Sequence, residues 1–241
     1  MKTIIHRASD RGHANHGWLD AHHSFSFANW YDPSKIHFGM LRVLNDDIVS
    51  EGQGFGTHPH NDMEIITIIL KGALEHRDNM GNGSVIRPGD VQVMSAGTGV
   101  MHSEFNPSSS EAVNLFQLWI FPKEKGIKPR YDQKTFDPAQ RKNKVQLLAS
   151  GNKKDGELYI HQDAAISLAS LDNGQTINYA LSKNGNGVYM MVVEGSVEIN
   201  GEILSRRDAI GITDTQAFSI KSKSDPDSYR DEVLIIDIPM E

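Results

Sequence analysis

Cysteine is absent from the sequence. Disulfides, thiolate metal sites and cysteine nucleophiles are therefore excluded, and any metal ligands must come from the 11 histidines and the carboxylates. No apolar run approaches the roughly 18–20 residues that a membrane span needs, so no membrane partner is expected. The segment Met1 to His13 has no apolar stretch of the kind a secretory leader carries, and a cytoplasmic protein is the expectation. Long basic runs are also missing, and the formal net charge is -7. A surface that neutralises phosphates needs clustered Lys and Arg, so direct nucleic-acid binding is not expected. Sustained helical periodicity is lacking as well. The best short helical candidate is D-P-A-Q-R-K around Asp137.

What the sequence has instead is a series of short apolar runs. Hydrophobic residues make up 38% and charged residues 23%, a balance that supports a packed core and argues against wholesale disorder. M-E-I-I-T-I-I-L, V-Q-V-M-S and N-L-F-Q-L-W-I-F-P are rich in β-branched and aromatic residues and are punctuated by Gly, Asn and Pro. That pattern predicts strands of a sandwich or barrel. The stretch from Arg130 to Lys144 reads as polar and strand-poor, and strand-like runs resume after it. Ile68 to His76 (I-I-L-K-G-A-L-E-H) and Met191 to Ile199 (M-V-V-E-G-S-V-E-I) share one order: apolar strand, charged residue, Gly, small residue, apolar–Glu pair. Each is followed by a turn ending in Asp, at Asp90 and Asp208. The expectation is two copies of one β unit, with domains at 1–135 and 136–241.

Two short motifs carry chemistry. The first is G-F-G-T-H-P-H-N-D-M-E, from Gly54 to Glu64. Alternate side chains of a strand share a face, so His58 and His60 point the same way, as would Glu64 on an unbroken strand. Pro59 between them cannot donate a ladder hydrogen bond, which predicts an edge or the start of a strand. The second motif is S-A-G-T-G-V-M-H-S-E-F-N, in which His102 and Glu104 have the same spacing. Two adjacent strands, each offering two ligands, give three imidazoles and one carboxylate. Such a set suits iron(II), manganese, nickel, copper(II) or zinc, and on an octahedral ion it leaves two positions for substrate or dioxygen.

At these residues the sequence resembles a known family. H-x-H-x-x-x-E-x(7)-G from His58 and G-x-x-H-x-x-x-N from Gly99 look like the two cupin motifs. In most cupins the Glu of the first motif is a ligand; here Glu104, two residues after His102, resembles the ligand of the pirin variant. R-G-H-A-N-H-G-W-L-D-A-H-H-S-F-S-F-A-N-W-Y-D-P, from Arg11 to Pro33, is similar to the opening segment of pirins and more so of the bacterial pirin-related quercetinases. The resemblance implies an all-β bicupin fold, two β-sandwich cupin domains face to face, with the metal held by His58, His60, His102 and Glu104 in the N-terminal one. One divalent transition metal per chain is expected, Fe(II) being favoured over Mn, Ni, Co, Cu or Zn. The C-terminal half has no H-x-H, and its one histidine is His161.

The same resemblance implies quercetin 2,3-dioxygenase activity on a small flavonol with dioxygen, Glu104 acting as the base that takes the 3-hydroxyl proton. Mammalian pirin is instead similar to a transcription co-regulator, so a metal-binding regulator with a protein partner stands as the alternative, as does a metal enzyme acting on another small substrate. Glu64 is read as a partner or competitor of the ligands, or as a solvated strand end. Gln117, in L-F-Q-L-W-I, faces either water or the barrel interior. His13, His16, His22 and His23 are read as structural or hydrogen-bonding residues.

Overall fold

The computed structural model describes residues 1–224 and 230–241. Among these residues regular structure is 22 strands and three short 3-10 helices, as the alternating apolar runs predict. The D-P-A-Q-R-K segment forms one of those helices, Pro138–Arg141, with the Asp137 carboxylate accepting from the Ala139 N–H. No described helix is long and apolar enough to cross a membrane.

The chain divides into two compact units. One comprises Gly12–Phe136 and Leu158–Gln162; the other comprises Met1–Arg11, Asp137–Glu157 and Asp163–Glu241. Two short segments, at the N-terminus and at Leu158–Gln162, are exchanged between the two halves of the sequence. Lys2–His6 pairs antiparallel with Ala209–Thr213, Lys2 opposite Thr213 and His6 opposite Ala209. Ile5 packs against the second core, and His6 Nδ1 lies 3.0 Å from the buried Tyr189 hydroxyl. A linear division of the sequence cannot show this, because the pairing joins residues some 200 positions apart.

Both units are sandwiches of a larger and a smaller antiparallel sheet. In the first, the larger sheet runs Arg130–Thr135, Asp90–Ser95, Glu64–Lys71, Val113–Ile120, Leu41–Val49, Leu19–His23, Gly12–Asn15. Its smaller sheet runs Gly54–His60, Val100–Phe105, Leu74–Asp78, Gly83–Ile86. The strand Arg130–Thr135 overturns the reading of that stretch as strand-poor. It is an edge strand whose exposed side keeps polar residues, so no apolar alternation marks it. Leu74 and Ile86 from the smaller sheet pack with Leu19, Val49, Ile69 and Leu115 from the larger one, and this buried layer holds the unit together.

The second unit repeats that order. Ala209–Thr213, Asn186–Glu194, Asp231–Pro239 and Ala165–Leu171 stand where Asp90–Ser95, Glu64–Lys71, Val113–Ile120 and Leu41–Val49 stand in the first. Its smaller sheet runs Thr176–Ala180, Ala217–Ser222, Ser196–Ile199, Glu202–Ser205. The repeat seen in the sequence is the same hairpin in both units, turning at Gly72 (φ 78°) and Gly195 (φ 81°). The strands equivalent to those bearing His58, His60 and His102 here bear Ile177, Tyr179, Phe218 and Ile220, all buried in the apolar core.

Candidate metal centre

Gly54–His60 is an edge strand, as Pro59 requires. It pairs with Val100–Phe105, His102 directly opposite His58. A register shift between His102 and Glu104 places Glu104 opposite Phe55. Such a bulge re-aims side chains at a functional rim. Gly54 makes the close approach possible, since a Cβ there would sit 2.2 Å from the Glu104 carbonyl oxygen.

These strands bring three imidazoles together. Ring centroids lie 4.4 Å apart for His58 and His102, 4.9 Å for His58 and His60, and 5.0 Å for His60 and His102. One nitrogen from each ring lies within 4.8 Å of the others. Glu104 lies in a second such group, with His102 and His76. Thus the four residues singled out in the sequence meet at His102, and His76 joins them.

Hydrogen bonding fixes which nitrogens are free. His58 Nδ1 is 2.8 Å from the Gly56 carbonyl, which can only accept, so Nδ1 carries the proton and Nε2 keeps its lone pair. Asp78 Oδ2 accepts from His76 Nε2 at 3.2 Å. In neutral His76, Nδ1 is then an acceptor, and His102 Nδ1 donates to it at 3.4 Å. His102 Nε2 is left buried with no hydrogen-bond partner. An outer carboxylate that orients a ligand histidine is a recurrent feature of metal sites; here the orientation passes through a second imidazole. Burial, and next the charge of His58, lowers His60 to about 4. Burial, with His58, His60 and His76, lowers His102 to about 2. Neutral imidazoles with free lone pairs are what a borderline divalent metal needs, and the orphaned His102 Nε2 fits such an ion.

Glu104 is buried, and desolvation raises its carboxyl above the usual range, against the Gln117 hydrogen bond, His76 and His58. Gln117 faces the interior: its Nε2 donates to both Glu104 oxygens, at 2.9 and 3.2 Å. Its Oε1 accepts from Trp119 Nε1 at 2.9 Å. Beside His58 and Glu104 lies a cavity of about 410 Å³ whose walls include Trp18, Phe27, Phe55, Trp119 and Asp47. Burial, then Asp46, Glu104 and Asp20, pushes Asp47 up to about 8.

The strand breaks after His60 and Asp62 turns at φ 45°, so Glu64 opens a strand of the other sheet. It is no solvated strand end: it is fully buried, Oε2 accepting from Ser95 Oγ at 2.8 Å and from the His161 N–H at 3.2 Å. His13 and His22 stack at 4.5 Å with Asp20 2.6 Å from His13, and His23 Nδ1 meets Asn45 Oδ1 at 3.0 Å. His13, Asp20 and His22 also bring ligand atoms within 4.8 Å of one another, at a largely exposed surface. His76 and Asp78 were not singled out. The alternation in L-E-H-R-D puts them on the face of Leu74, which is the trace they leave in the sequence.

Desolvation raises Glu64 to about 7, from an ordinary 4.5. Between these values the folded chain holds more protons than the unfolded chain, so the group's contribution is fully present below about 4.5 and is lost as pH rises through 7. The loss amounts to about 3 kcal/mol. Glu64→Gln keeps a carbonyl for Ser95 and His161 and cannot ionise. In metal-free protein, urea unfolding at pH 4.5 and pH 8 is expected to show the variant gaining about 3 kcal/mol on the wild type over that interval. A pH-independent difference would mean that Glu64 titrates alike in the folded and unfolded chains.

Residues 5–120 match the family described as Pirin, and residues 147–238 the one described as Quercetinase C-terminal cupin domain. A protein named quercetin 2,3-dioxygenase from Escherichia coli (strain K12) is 49% identical, over 98% of each chain. The chain belongs to the pirin family. A further relative, named putative quercetin 2,3-dioxygenase, from Pseudomonas aeruginosa, is 44% identical over 98% of this chain and 99% of its own. The crystal structure of the bacterial pirin YhhW from Escherichia coli in complex with nickel(II) matches with a TM-score of 0.91 and 46% identity, covering 99% of both chains. The all-β bicupin architecture is that of these pirins.

Proposed function

We propose that this pirin is a metal-dependent dioxygenase of the quercetin 2,3-dioxygenase type, with His58, His60, His102 and Glu104 as the ligands of one metal ion. The observation that carries the reading is the convergence of three imidazoles, one with an orphaned buried nitrogen, beside an aromatic cavity that holds a buried carboxyl group. Relatives named quercetin 2,3-dioxygenase and the nickel(II) complex of a pirin support it. Fe(II) is the favoured ion, and Mn, Ni, Co, Cu and Zn share the ligand preference. When bound, the metal supplies Lewis-acid and redox chemistry for a reaction of a flavonol with dioxygen.

The chain's own residues do the rest. Trp18, Phe27, Phe55 and Trp119 form apolar walls that suit a flat polycyclic ligand and exclude water. Glu104 takes the proton of the flavonol 3-hydroxyl, because it is a buried carboxylate on the cavity wall held in place by Gln117. Gln117 itself is fixed by Trp119, so the carboxylate is oriented from behind.

The test is oxygen uptake with quercetin by protein loaded separately with iron, manganese, nickel, cobalt and copper, with metal content measured. Uptake in at least one form, matched by loss of quercetin absorbance, is expected. Fully loaded protein inert in all five forms would move the reading to a metal-binding regulator or to another small substrate.

A further inference from the structure

We propose that Asp47 selects the substrate of this site by binding a phenolic hydroxyl of the ligand other than the one at the 3-position. The inference rests on the flavonol reading above and adds the residue that would decide between flavonols.

The strand Leu41–Val49 carries three consecutive polar residues, Asn45, Asp46 and Asp47, and all three are buried. Buried polar groups normally find partners, and leaving one unmade is costly. Two of them do. Asn45 Oδ1 meets His23 Nδ1 at 3.0 Å, and Asp46 Oδ1 accepts from Asn114 Nδ2 at 3.0 Å. Strand alternation turns Asn45 and Asp47 to the face that lines the cavity. Asp47 is only 6% exposed, yet its Oδ1 is buried without a hydrogen-bond partner.

The other polar side chains of the cavity wall are committed. Gln117 is held by Glu104 and Trp119, Asn45 by His23, and His58 Nδ1 by the Gly56 carbonyl. Among the described residues lining the cavity, Asp47 therefore carries the buried side-chain oxygen that awaits a donor. It belongs to none of the clusters of convergent metal-ligand atoms. A donor carried on a flat ring, entering a pocket walled by Trp18, Phe27, Phe55 and Trp119, is what a hydroxylated flavonoid supplies. Either state of the carboxyl serves: ionised, it accepts the phenolic O–H, and neutral, it accepts on its carbonyl oxygen. A pocket built to bind a hydroxyl rejects the analogue that lacks it far more strongly than an apolar pocket rejects a missing methylene.

The test uses the full metal-loaded chain and two ligands, quercetin and 3-hydroxyflavone, the latter keeping only the 3-hydroxyl and 4-carbonyl. Binding is read by quenching of tryptophan fluorescence, since Trp18 and Trp119 line the cavity. Wild type is expected to bind quercetin at least about tenfold more tightly than 3-hydroxyflavone. Asp47→Leu should weaken quercetin by about 10–100-fold and leave 3-hydroxyflavone within about threefold. Asp47→Asn, isosteric and still an acceptor, should recover most of the quercetin affinity, and a preference for quercetin intermediate between wild type and Asp47→Leu carries the test should the leucine variant not fold. Equal loss for both ligands would assign Asp47 to pocket shape. No change for either would mean that water satisfies it. Wild type that binds neither flavonol, or both alike, also overturns the inference. Oxygen uptake on the same samples separates the two proposals: discrimination in binding without turnover would sink the dioxygenase and keep Asp47 as a hydroxyl site.

Discussion

Replacing His60 with alanine is expected to strip most of the metal from the purified protein and to leave both sandwiches folded. His60 ends an edge strand, half-buried, and touches Trp119 edge-on at 4.8 Å and His102 at 5.0 Å. It is a member of neither sandwich core, so its truncation opens no large core cavity and the stability loss is expected to stay near about 1 kcal/mol. The effect on the metal is much greater. Loss of a hydrogen-bond partner outside the ligand set commonly costs 10–100-fold in affinity, and loss of a ligand exceeds that. Elemental analysis is expected to fall from about one ion per chain to a small fraction of one, with an unchanged far-ultraviolet circular dichroism spectrum. The stoichiometry of one follows from the second unit, where Ile177, Tyr179, Phe218 and Ile220 fill the equivalent strands. Unchanged metal content in His60→Ala would overturn the ligand assignment, and a second ion inside the C-terminal sandwich would overturn the reading of that unit.

Local pattern accounts for the parts of the site that were legible in the sequence. His58 and His60 share a face because the strand period is two, and Pro59 marks the edge because it lacks an N–H; neither inference needs to know the neighbours. The hairpin repeat was legible for the same reason, since a strand, a left-handed glycine and a returning strand are contiguous. The remainder depends on register between distant strands. His76 matters because Glu104 stands opposite it and His102 opposite Asp78, pairings between strands far apart in the sequence that no single motif encodes. Which aspartate of N-D-D faces the cavity is decided by the pairing of Asn45 with Gln117 and Asp47 with Leu115. Glu64 shows the opposite failure. Its spacing from His60 fits one continuous strand, and three residues of turn, Asp62 among them, carry it into the other sheet.

Glu104→Gln is expected to lower quercetin turnover by about 10²–10⁴-fold in protein that still holds its metal. The substitution keeps the shape and one carbonyl oxygen. Gln117 Nε2 can still donate to that oxygen, so the side chain stays where it was. What is lost is the ability to take a proton. The carboxylate also stands beside His76 and His102, and its removal can weaken the metal, so occupancy has to be measured in the same samples. If the rate falls only in proportion to occupancy, Glu104 acts as a ligand and nothing more. If a fully loaded variant loses the expected factor, the proton and the ligand roles are separate. A second readout distinguishes them further: a base that has lost its proton-accepting group lowers kcat more than it raises KM, whereas a displaced substrate does the reverse. A fully loaded Glu104→Gln protein as fast as wild type would pass the base to another carboxyl of the cavity. Glu64 forms no part of that wall, and Asp47 does, so Asp47 would then have to bind the hydroxyl that reacts.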